Sequence, residues 1–378
     1  MNILIATHEY PPYPGGIGRY CAEVRSAALA RGHRVDVLAP DFARSATAPS
    51  QDDAGVFRFP GDVYSNRTLL TVIRALRRQL RQRTYDVVHV ADWPLLLALP
   101  WSGVPRAVKT VMTFHGTDAI VLGRSRSARW LRARQAVHRL DRVCANSAFT
   151  LSLVERELAP PASVERRVTP LGVAEYWAEP ASAEERAQVR RLCGATEGDR
   201  IVLTVARLDP RKGHLRALQA IAQLPPGQRQ TICYLAIGRP VDPVYATHLQ
   251  SEAKRLGVRA TFAGAQPDAI VRAAYAESRA FLLAAEPDQE RVEGFGLVFL
   301  EAAFQGLPTV STAAHAVPEV VQDRVTGFLA KPGDTADIAA QLLAMLDANA
   351  AGQLAGACVA RAREFSWQRC ADLTYADL

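Results

Sequence analysis

The chain has 378 residues, of which 49% are hydrophobic and 22% charged, and its formal net charge is +7. This length is too great for one ordinary hydrophobic core and predicts two domains of a folded globular protein. Residues 1–180 carry 24 Arg and Lys against 16 Asp and Glu, whereas the remainder carries 21 against 22. The basic first half favours an anionic partner, but no nucleic-acid reader motif accompanies it, so we predict no nucleic-acid binding.

The cysteines and the apolar segments limit the location of the protein. The six cysteines are scattered and form no C-x-x-C pair, which supports neither a disulfide framework nor a zinc site. The sequence runs from Met1 straight into a short strand, which predicts no signal peptide, and the longest apolar run, residues 93–101, is too short to span a bilayer. We expect a cytoplasmic protein, either free or peripheral at the inner face of a membrane.

The first predicted elements form a strand, a glycine loop, a helix and a second strand. Residues 2–6 are an apolar run typical of a buried parallel strand, and residues 32–38 form the next strand. Between them, Gly15 and Gly16 allow backbone amides to contact a phosphate at the switch point of a Rossmann-like sheet. The loop lacks the G-x-G-x-x-G spacing, so a simple turn is the alternative interpretation.

A basic amphipathic helix is predicted at residues 68–83, where apolar side chains share one face and five arginines cover much of the rest. Two interpretations stay open. The helix covers the sheet and its arginines are solvated, or the arginines contact anionic lipid headgroups. A second arginine-rich segment, residues 124–142, has apolar residues at helical spacing.

Polar residues follow the strand predicted at residues 108–114. His115 and Asp118 come at its carboxyl end, in the tetrapeptide His-Gly-Thr-Asp. Ligands of open parallel sheets bind beyond the carboxyl ends of the strands, which makes this tetrapeptide a candidate for substrate contact.

A second α/β series follows a predicted hinge at residues 174–187. The strand at residues 200–206 leads into a basic loop that contains Arg207 and Lys212. These two cations are five positions apart around a tight turn, where they can straddle a diphosphate, the arginine as a fork and the lysine as a point charge.

The segment Glu293–Glu301 places two carboxylates eight positions apart, around a Gly-Phe-Gly turn and an apolar run. We predict a short helix from Leu297 to Gln305, closed by Gly306. Its N-terminal N–H groups, on Phe295, Gly296 and Leu297, would bind a phosphate or sugar oxygen. Glu293 and Glu301 would then reach opposite ends of one ligand, a sugar at one end and a ribose at the other.

These segments resemble the motifs of retaining GT-B glycosyltransferases, in particular glycosyltransferase family 4, and the resemblance covers nearly the whole chain. It rests on the E-x7-E spacing of Glu293–Glu301, the H-G-x-D/E element of His115–Asp118 and the R-L-x-x-x-K-G element of Arg207–Gly213. It implies the α/β GT-B fold, in which two Rossmann-like domains have parallel sheets that face across a central cleft.

The resemblance also implies the division of the chain. Residues 1–173 with 364–378 would form the N-terminal acceptor-binding domain, and residues 174–363 the nucleotide-sugar-binding domain. In one place the sequence departs from the family, which commonly carries two glycines just before a Pro-Glu pair. Here His315 and Ala316 stand there.

The resemblance implies a role for each candidate residue. His115 would lie beside the transferred sugar, Asp118 towards the acceptor, and Glu293 on the sugar hydroxyls, and these three are the predicted catalytic residues. Gln266 follows a strand whose loop lies against the nucleotide base in the family. The predicted substrate-binding residues are Gly15, Gly16, Arg207, Lys212, Gln266, Gly294, Phe295, Gly296, Leu297 and Glu301.

We therefore predict a retaining hexosyltransferase that moves a sugar from a UDP- or GDP-linked donor to a hydroxyl acceptor, in envelope polysaccharide or glycolipid assembly. No Asp-x-Asp pair occurs, so we predict no metal, and no cofactor besides the nucleotide sugar. The alternatives are glycosylation of a soluble small molecule or natural product, a nucleotide-sugar epimerase or hydrolase, and a non-catalytic sugar-nucleotide sensor. The sequence leaves the base, sugar, linkage, acceptor and oligomeric state open.

Overall fold

The computed structural model describes residues 1–13, 15–41, 54–61, 68–286, 288 and 290–378, with the backbone alone at residues 348–351. Pro14, in the predicted glycine loop, lies outside the described residues. The chain forms two compact units, residues 1–172 with 366–378 and residues 173–365. The sequence analysis placed the first boundary one residue later, after residue 173, and the second boundary two residues earlier, after residue 363.

The first unit is built on seven strands, β1 Asn2–Ala6, β2 Arg34–Asp41, β3 Val56–Pro60, β4 Val87–Val90, β5 Lys109–Phe114, β6 Arg142–Ala145 and β7 Glu165–Val168. They form a parallel sheet in the order β3-β2-β1-β4-β5-β6-β7. The central strands β1 and β4 are apolar and buried almost throughout, as expected inside a parallel sheet. The direction of strand order changes between β1 and β4, and this switch point is where such sheets bind ligands.

The helices of the first unit are α1 Gly16–Ala30, α2 Leu69–Gln82, α3 Trp93–Ala98, α4 Thr117–Arg124, α5 Arg126–Trp130, α6 Ala133–Val137, α7 Ala148–Leu158 and α17 Trp367–Tyr375. The C-terminal helix α17 packs on α1. Its Tyr375 hydroxyl lies 2.8 Å from Nδ1 of His89, in β4, so the end of the chain is tied to the centre of the sheet.

The second unit contains six strands, β8 Arg200–Val205, β9 Ile232–Ile237, β10 Ala260–Phe262, β11 Ala280–Leu283, β12 Thr309–Thr312 and β13 Gly327–Ala330. They form a second parallel sheet in the order β10-β9-β8-β11-β12-β13. Its switch point lies between β8 and β11. The core of this unit includes Val202, Leu218, Tyr234, Leu282 and Val310.

The helices of the second unit are α8 Ala183–Cys193, α9 His214–Ala222, α10 Pro226–Arg229, α11 Pro243–Leu256, α12 Asp268–Glu277, α13 Leu297–Phe304, α14 Val317–Val320, α15 Thr335–Leu346 and α16 Ala348–Arg363. Two sheets of parallel strands, each connected through helices, confirm the predicted α/β class. Within the described residues, no helix combines the length and the apolar character that a membrane crossing needs.

Two elements of the first unit differ from the sequence analysis. The strand β3 was not predicted, and it pairs with β2 at the edge of the sheet. The arginine-rich segment 124–142 is not one continuous helix, because Arg132 takes a left-handed conformation with φ of 58° and separates α5 from α6. As a result Trp130 is 83% exposed, rather than turned to the core.

Candidate functional site

The basic loop after β8 is held against the end of β11. Asp209 accepts a hydrogen bond from the backbone N–H of Arg211 at 3.1 Å, which shapes a short 3-10 turn over residues 210–212. Gly213 closes the turn with φ of 71°, and a Cβ atom built there would lie 1.7 Å from the carbonyl oxygen of Ala284. Only glycine fits this approach, which brings the basic loop to the carboxyl end of β11.

The turn brings Lys212 into an ion pair with Glu293, 81 positions further along the chain. The side chain of Lys212 is 15% exposed and that of Glu293 is 12% exposed. Nη1 of Arg211 lies 4.0 Å from the same carboxylate oxygen and donates to the carbonyl of Val292 at 3.2 Å. Burial would raise the pKa of Glu293, but the charges of Lys212 and Arg211 outweigh it and hold that pKa below its usual range.

The helix α13 begins directly after this acid. Its N-cap residue, Gly296, has φ of 87°, and a Cβ atom there would lie 2.5 Å from the ring of Phe299, so glycine is required. In the described part of the chain, no hydrogen bond is formed by the backbone N–H groups of Phe295, Gly296 or Leu297. The start of α13 is therefore an anion-binding geometry beside Glu293.

Three residues of the predicted set are engaged within the protein. The ring of Phe295 is buried and packs edge-on to Phe365, with centroids 5.7 Å apart. The carboxylate of Glu301 is buried and accepts from the hydroxyl of Tyr275 at 3.0 Å. Amide Nε2 of Gln266 donates back to the carbonyl of Ala263 at 2.7 Å. The ribose contact of Glu301 and the base contact of Gln266 stay predictions.

Arg207 does not join the buried cation group. Its side chain is exposed at the start of the basic loop, and within the described residues it forms no ion pair. Its carbonyl oxygen lies 3.0 Å from Nε2 of His214, which fixes the backbone at this point. The guanidinium is thus exposed to solvent, whereas Lys212 is paired with Glu293. That both cations straddle a diphosphate stays a prediction.

The loop after β12 holds the backbone of Glu293. The N–H of Glu293 donates to Nδ1 of His315 at 3.3 Å, and the N–H of Ala316 donates to the carbonyl of Glu293 at 3.2 Å. Nε2 of His315 lies 3.3 Å from the carbonyl oxygen of Asp288. His315 has φ of 55°, the left-handed conformation that favours glycine, at the position where the family commonly carries one.

In the first unit, the glycine loop leads into α1 as predicted. Gly15 is the N-cap of this helix and Gly16 its first residue. A Cβ atom built on Gly16 would meet nothing within 4 Å, whereas one on Gly15 would meet the side chain of Glu9. Space is therefore open directly over Gly16, at the carboxyl end of β1, and the phosphate contact there stays a prediction.

His115 lies at the carboxyl end of β5 and is held by two neighbours. Its ring packs edge-on to Tyr20 with centroids 4.8 Å apart, and its Nε2 lies 3.1 Å from the carbonyl oxygen of Ala91. Donation to a carbonyl requires the proton on Nε2, which leaves Nδ1 as an acceptor. Burial lowers the pKa of His115 to about 4, so the ring is neutral at pH 7.

Asp118 is turned towards the backbone of its own turn. The carboxylate is buried and accepts from the N–H groups of His115 at 2.9 Å, Gly116 at 2.8 Å and Ala119 at 3.0 Å. Burial raises its pKa to about 6, against the opposing effect of these N–H bonds. Both oxygens accept from the N–H of His115 and so fix its position, and the role of Asp118 towards an acceptor stays a prediction.

Sequence reasoning missed an acid at the switch point of the first sheet. Asp92 follows β4, and its Oδ2 accepts from the hydroxyl of Thr7 at 2.8 Å and the N–H of His8 at 2.5 Å, both just after β1. Its Oδ1 is buried and has no hydrogen-bond partner among the described residues. Burial raises the pKa of Asp92 to about 7. The position of Asp92 just beyond the carboxyl end of a strand is the sequence signal that could have identified it as a candidate site residue.

The structure thus gathers two groups, one in each unit. The first contains His115, Asp118, Gly15 and Gly16, with the unpredicted Asp92; the second contains Glu293, Lys212 and the start of α13, with the unpredicted Arg211 and His315. Among the described residues, no group of three or more His, Cys, Asp or Glu side chains is arranged to hold a metal ion.

Comparisons with known proteins identify the family to which both halves of the chain belong. The family model described as "Glycosyltransferase Family 4" matches residues 14–173, and that described as "Glycosyl transferases group 1" matches residues 186–365. The glycogen synthase of Mycobacterium tuberculosis is 30% identical over 416 aligned positions, covering 99% of this chain and 93% of that protein.

Two further proteins extend the comparison. A GDP-mannose-dependent alpha-(1-6)-phosphatidylinositol monomannoside mannosyltransferase of Mycolicibacterium smegmatis is 28% identical, covering 86% of this chain and 84% of that protein. The structure of sucrose-phosphate synthase from Thermosynechococcus elongatus superposes with a TM-score of 0.81 at 19% identity, covering 98% of this chain and 96% of that one. The motifs, the two parallel sheets and the matched domains show that the chain is a GT-B glycosyltransferase of family 4, an enzyme that uses a nucleotide sugar.

Proposed function

We propose that the protein transfers a hexose, with retention of anomeric configuration and without a metal ion, from a UDP- or GDP-linked donor to a hydroxyl acceptor. The observation that carries the proposal is the buried ion pair between Lys212 and Glu293, beside the start of α13. The pair brings a cation suited to a diphosphate and an acid suited to sugar hydroxyls to the switch point of one sheet. The donor would bind mainly to this unit, and the acceptor to the first unit.

Donor binding would exchange partners within this pair. In the structure, Lys212 and Glu293 neutralise each other, which makes it possible to bury both. A bound donor offers a diphosphate to the ammonium and hydroxyl groups to the carboxylate, so each charge keeps a partner. Arg211, 4.0 Å from Glu293, keeps that carboxylate ionised when Lys212 turns to the phosphate.

The chemical step would be a front-face substitution. The bond between the anomeric carbon and the donor phosphate oxygen breaks, the acceptor oxygen bonds to the anomeric carbon on the same face, and the leaving phosphate takes the acceptor proton. Negative charge grows on the leaving diphosphate, where Lys212 and the N–H groups at the start of α13 would stabilise it. His115, neutral and with Nδ1 as an acceptor, would hold a sugar hydroxyl.

The acceptor would be a glycolipid or a lipid-linked envelope polysaccharide. The mannosyltransferase relative is named for a phosphatidylinositol substrate, which supports this choice. In the first unit Leu70 of α2 is 63% exposed and Trp101 is 54% exposed, and Arg77 of α2 donates to the carbonyl of Trp101 at 2.7 Å. Exposed apolar side chains among arginines suit an anionic membrane surface.

Membrane contact is tested with vesicles. The double variant Arg74→Gln/Arg78→Gln should sediment less with anionic phospholipid vesicles than the wild type, and neither protein should sediment with neutral vesicles. Arg191→Gln/Arg255→Gln, in the second unit, is the matched control because it also removes two positive charges from exposed helix positions. Equal sedimentation of all variants would contradict the proposal.

The transfer function is tested first with a thermal-shift screen against UDP, GDP, ADP and their sugars, since a ligand of the folded state raises its melting temperature. Glu293→Gln should abolish transfer from the donor so identified, whereas Glu184→Gln, on an exposed helix, should leave it unchanged. NMR of the product reports the anomeric configuration, and a chelator series reports metal dependence. Transfer near the wild-type rate in Glu293→Gln, or inversion, would refute the proposal.

A further inference from the structure

His315 stands where the backbone requires a left-handed conformation, at φ of 55°. For a residue other than glycine this conformation costs on the order of 1 kcal/mol, so the side chain needs a compensating contact. The imidazole provides two, because both ring nitrogens are used. Nδ1 accepts from the N–H of Glu293, and Nε2 faces the carbonyl of Asp288, each at 3.3 Å.

The two contacts select one form of the ring. A ring nitrogen that accepts an N–H bond carries no proton, and one that donates to a carbonyl must carry it, so His315 is the neutral Nε2–H tautomer. Burial lowers the pKa of His315, which favours the neutral ring, against the opposing effects of the Asp288 carbonyl and of Glu293. Two further charged groups act on this ring: Arg211 also disfavours protonation, whereas the Asp288 carboxylate favours it.

The same loop contacts Glu293 on both sides of its backbone. The imidazole accepts a hydrogen bond from the N–H of Glu293, and the N–H of Ala316 donates one to the carbonyl of Glu293. Because both of its backbone polar groups are held by the loop after β12, the position of Cα, and therefore the reach of the carboxylate, depends on that loop. A glycine at position 315 would allow the same backbone turn but would offer no acceptor to the N–H of Glu293.

We propose that His315 is a positioning residue for Glu293: its imidazole fixes the Glu293 peptide so that the carboxylate meets the transferred sugar after Lys212 has moved to the diphosphate. The inference rests on the proposed function, because it assigns the sugar contact to Glu293. It concerns the sugar and not the nucleotide, since the imidazole holds the peptide of Glu293, whereas Lys212 and the N–H groups at the start of α13 would bind the diphosphate.

Two variants separate the hydrogen bond from the backbone conformation. His315→Gly keeps the left-handed turn at no steric cost and removes the acceptor, whereas His315→Asn tolerates the same turn and places an amide oxygen near the position of Nδ1. We expect kcat to fall about tenfold in His315→Gly, with KM for the donor and Kd for the free nucleoside diphosphate within about threefold of wild type. His315→Asn should keep kcat within about threefold of the wild type.

A kcat of His315→Gly within twofold of the wild type would overturn the proposal, as would an equal loss in His315→Asn. A second measurement does not depend on transfer. NMR of the protein labelled with 15N-histidine reports the tautomer of each ring. The signals of His315 are identified among those of the eight histidines because they are missing in His315→Asn. The proposal requires the Nε2–H tautomer, and an Nδ1–H tautomer would overturn it. Because this measurement needs no donor, it separates the two failures. A wild type that transfers no sugar refutes the proposed function, whereas an Nδ1–H tautomer in an active wild type overturns the role of His315 only.

Discussion

The ion pair between Lys212 and Glu293 predicts an unusual pattern of stability. Lys212→Met removes the cation and leaves an acid that is 12% exposed. Loss of one partner of a buried pair costs about 3–5 kcal/mol. Arg211, whose Nη1 is 4.0 Å from the carboxylate, partly compensates, so we expect a cost of about 2 kcal/mol in the free energy of unfolding at pH 7.

The double variant Lys212→Met/Glu293→Gln should be closer to the wild type than Lys212→Met alone, because no buried charge is then left without its partner. The sign of the pH dependence follows from the pKa of Glu293, which lies below its usual range. A depressed carboxyl pKa gives stability that is present above the ordinary value of about 4.5 and is lost as the pH falls below it. The deficit of Lys212→Met should therefore shrink in acid.

The assay must report on the second unit, because two-domain proteins do not unfold in one step. Hydrogen exchange of peptides from β8 and β11, measured without ligand, gives the opening free energy of that sheet. A Lys212→Met variant within 0.5 kcal/mol of the wild type, or a double variant that loses the sum of both single losses, would refute the reasoning.

In Glu293→Gln, the freed Lys212 should bind the nucleoside diphosphate at least as tightly as in the wild type.

Three further predictions follow from single residues. Gly213→Ala should cost more than about 3 kcal/mol in urea unfolding, because the Cβ would overlap the Ala284 carbonyl, whereas Gly194→Ala, also at positive φ but in open space, should cost about 1 kcal/mol. The folded protein holds the Asp92 proton up to a pH of about 7, so the stability that this group gives is lost between pH 4 and 7, and the melting temperature of Asp92→Asn should vary less with pH. Gly16→Leu should keep the wild-type melting temperature but weaken nucleotide-sugar binding at least tenfold in calorimetry, because its side chain would fill the open space over the loop.

Apolar runs bounded by turn residues were enough to find most of both sheets. The strand β1 and the helices α2 and α13 lie within one residue of their predicted positions, because each has the period and end signals of its type. The strand β3 escaped detection. Its five residues include Arg58 at the centre and Pro60 at the end, and it becomes a strand only because β2 offers an edge to pair with.

The partners of the site residues could not be predicted in the same way. Local spacing suggested that Lys212 acts with Arg207, but the turn at Gly213 sends the ammonium to an acid 81 positions away. Asp118 has the spacing of a catalytic acid, yet a carboxylate at the start of a helix is also placed to accept backbone N–H bonds, and here this local use prevails. Tertiary contacts of this kind have no signature in a single sequence.

The two switch points hold acids whose pKa values are shifted in opposite directions. Asp92 follows β4 and Glu293 follows β11, which are equivalent places in the two sheets. Burial raises the pKa of Asp92 to about 7, whereas Lys212 and Arg211 keep that of Glu293 low. An environment that disfavours charge suits a neutral hydroxyl, and one that gathers cations suits a diphosphate. These opposite shifts are what the proposed function requires of an acceptor unit and a nucleotide-sugar unit, although the first unit has the greater net positive charge.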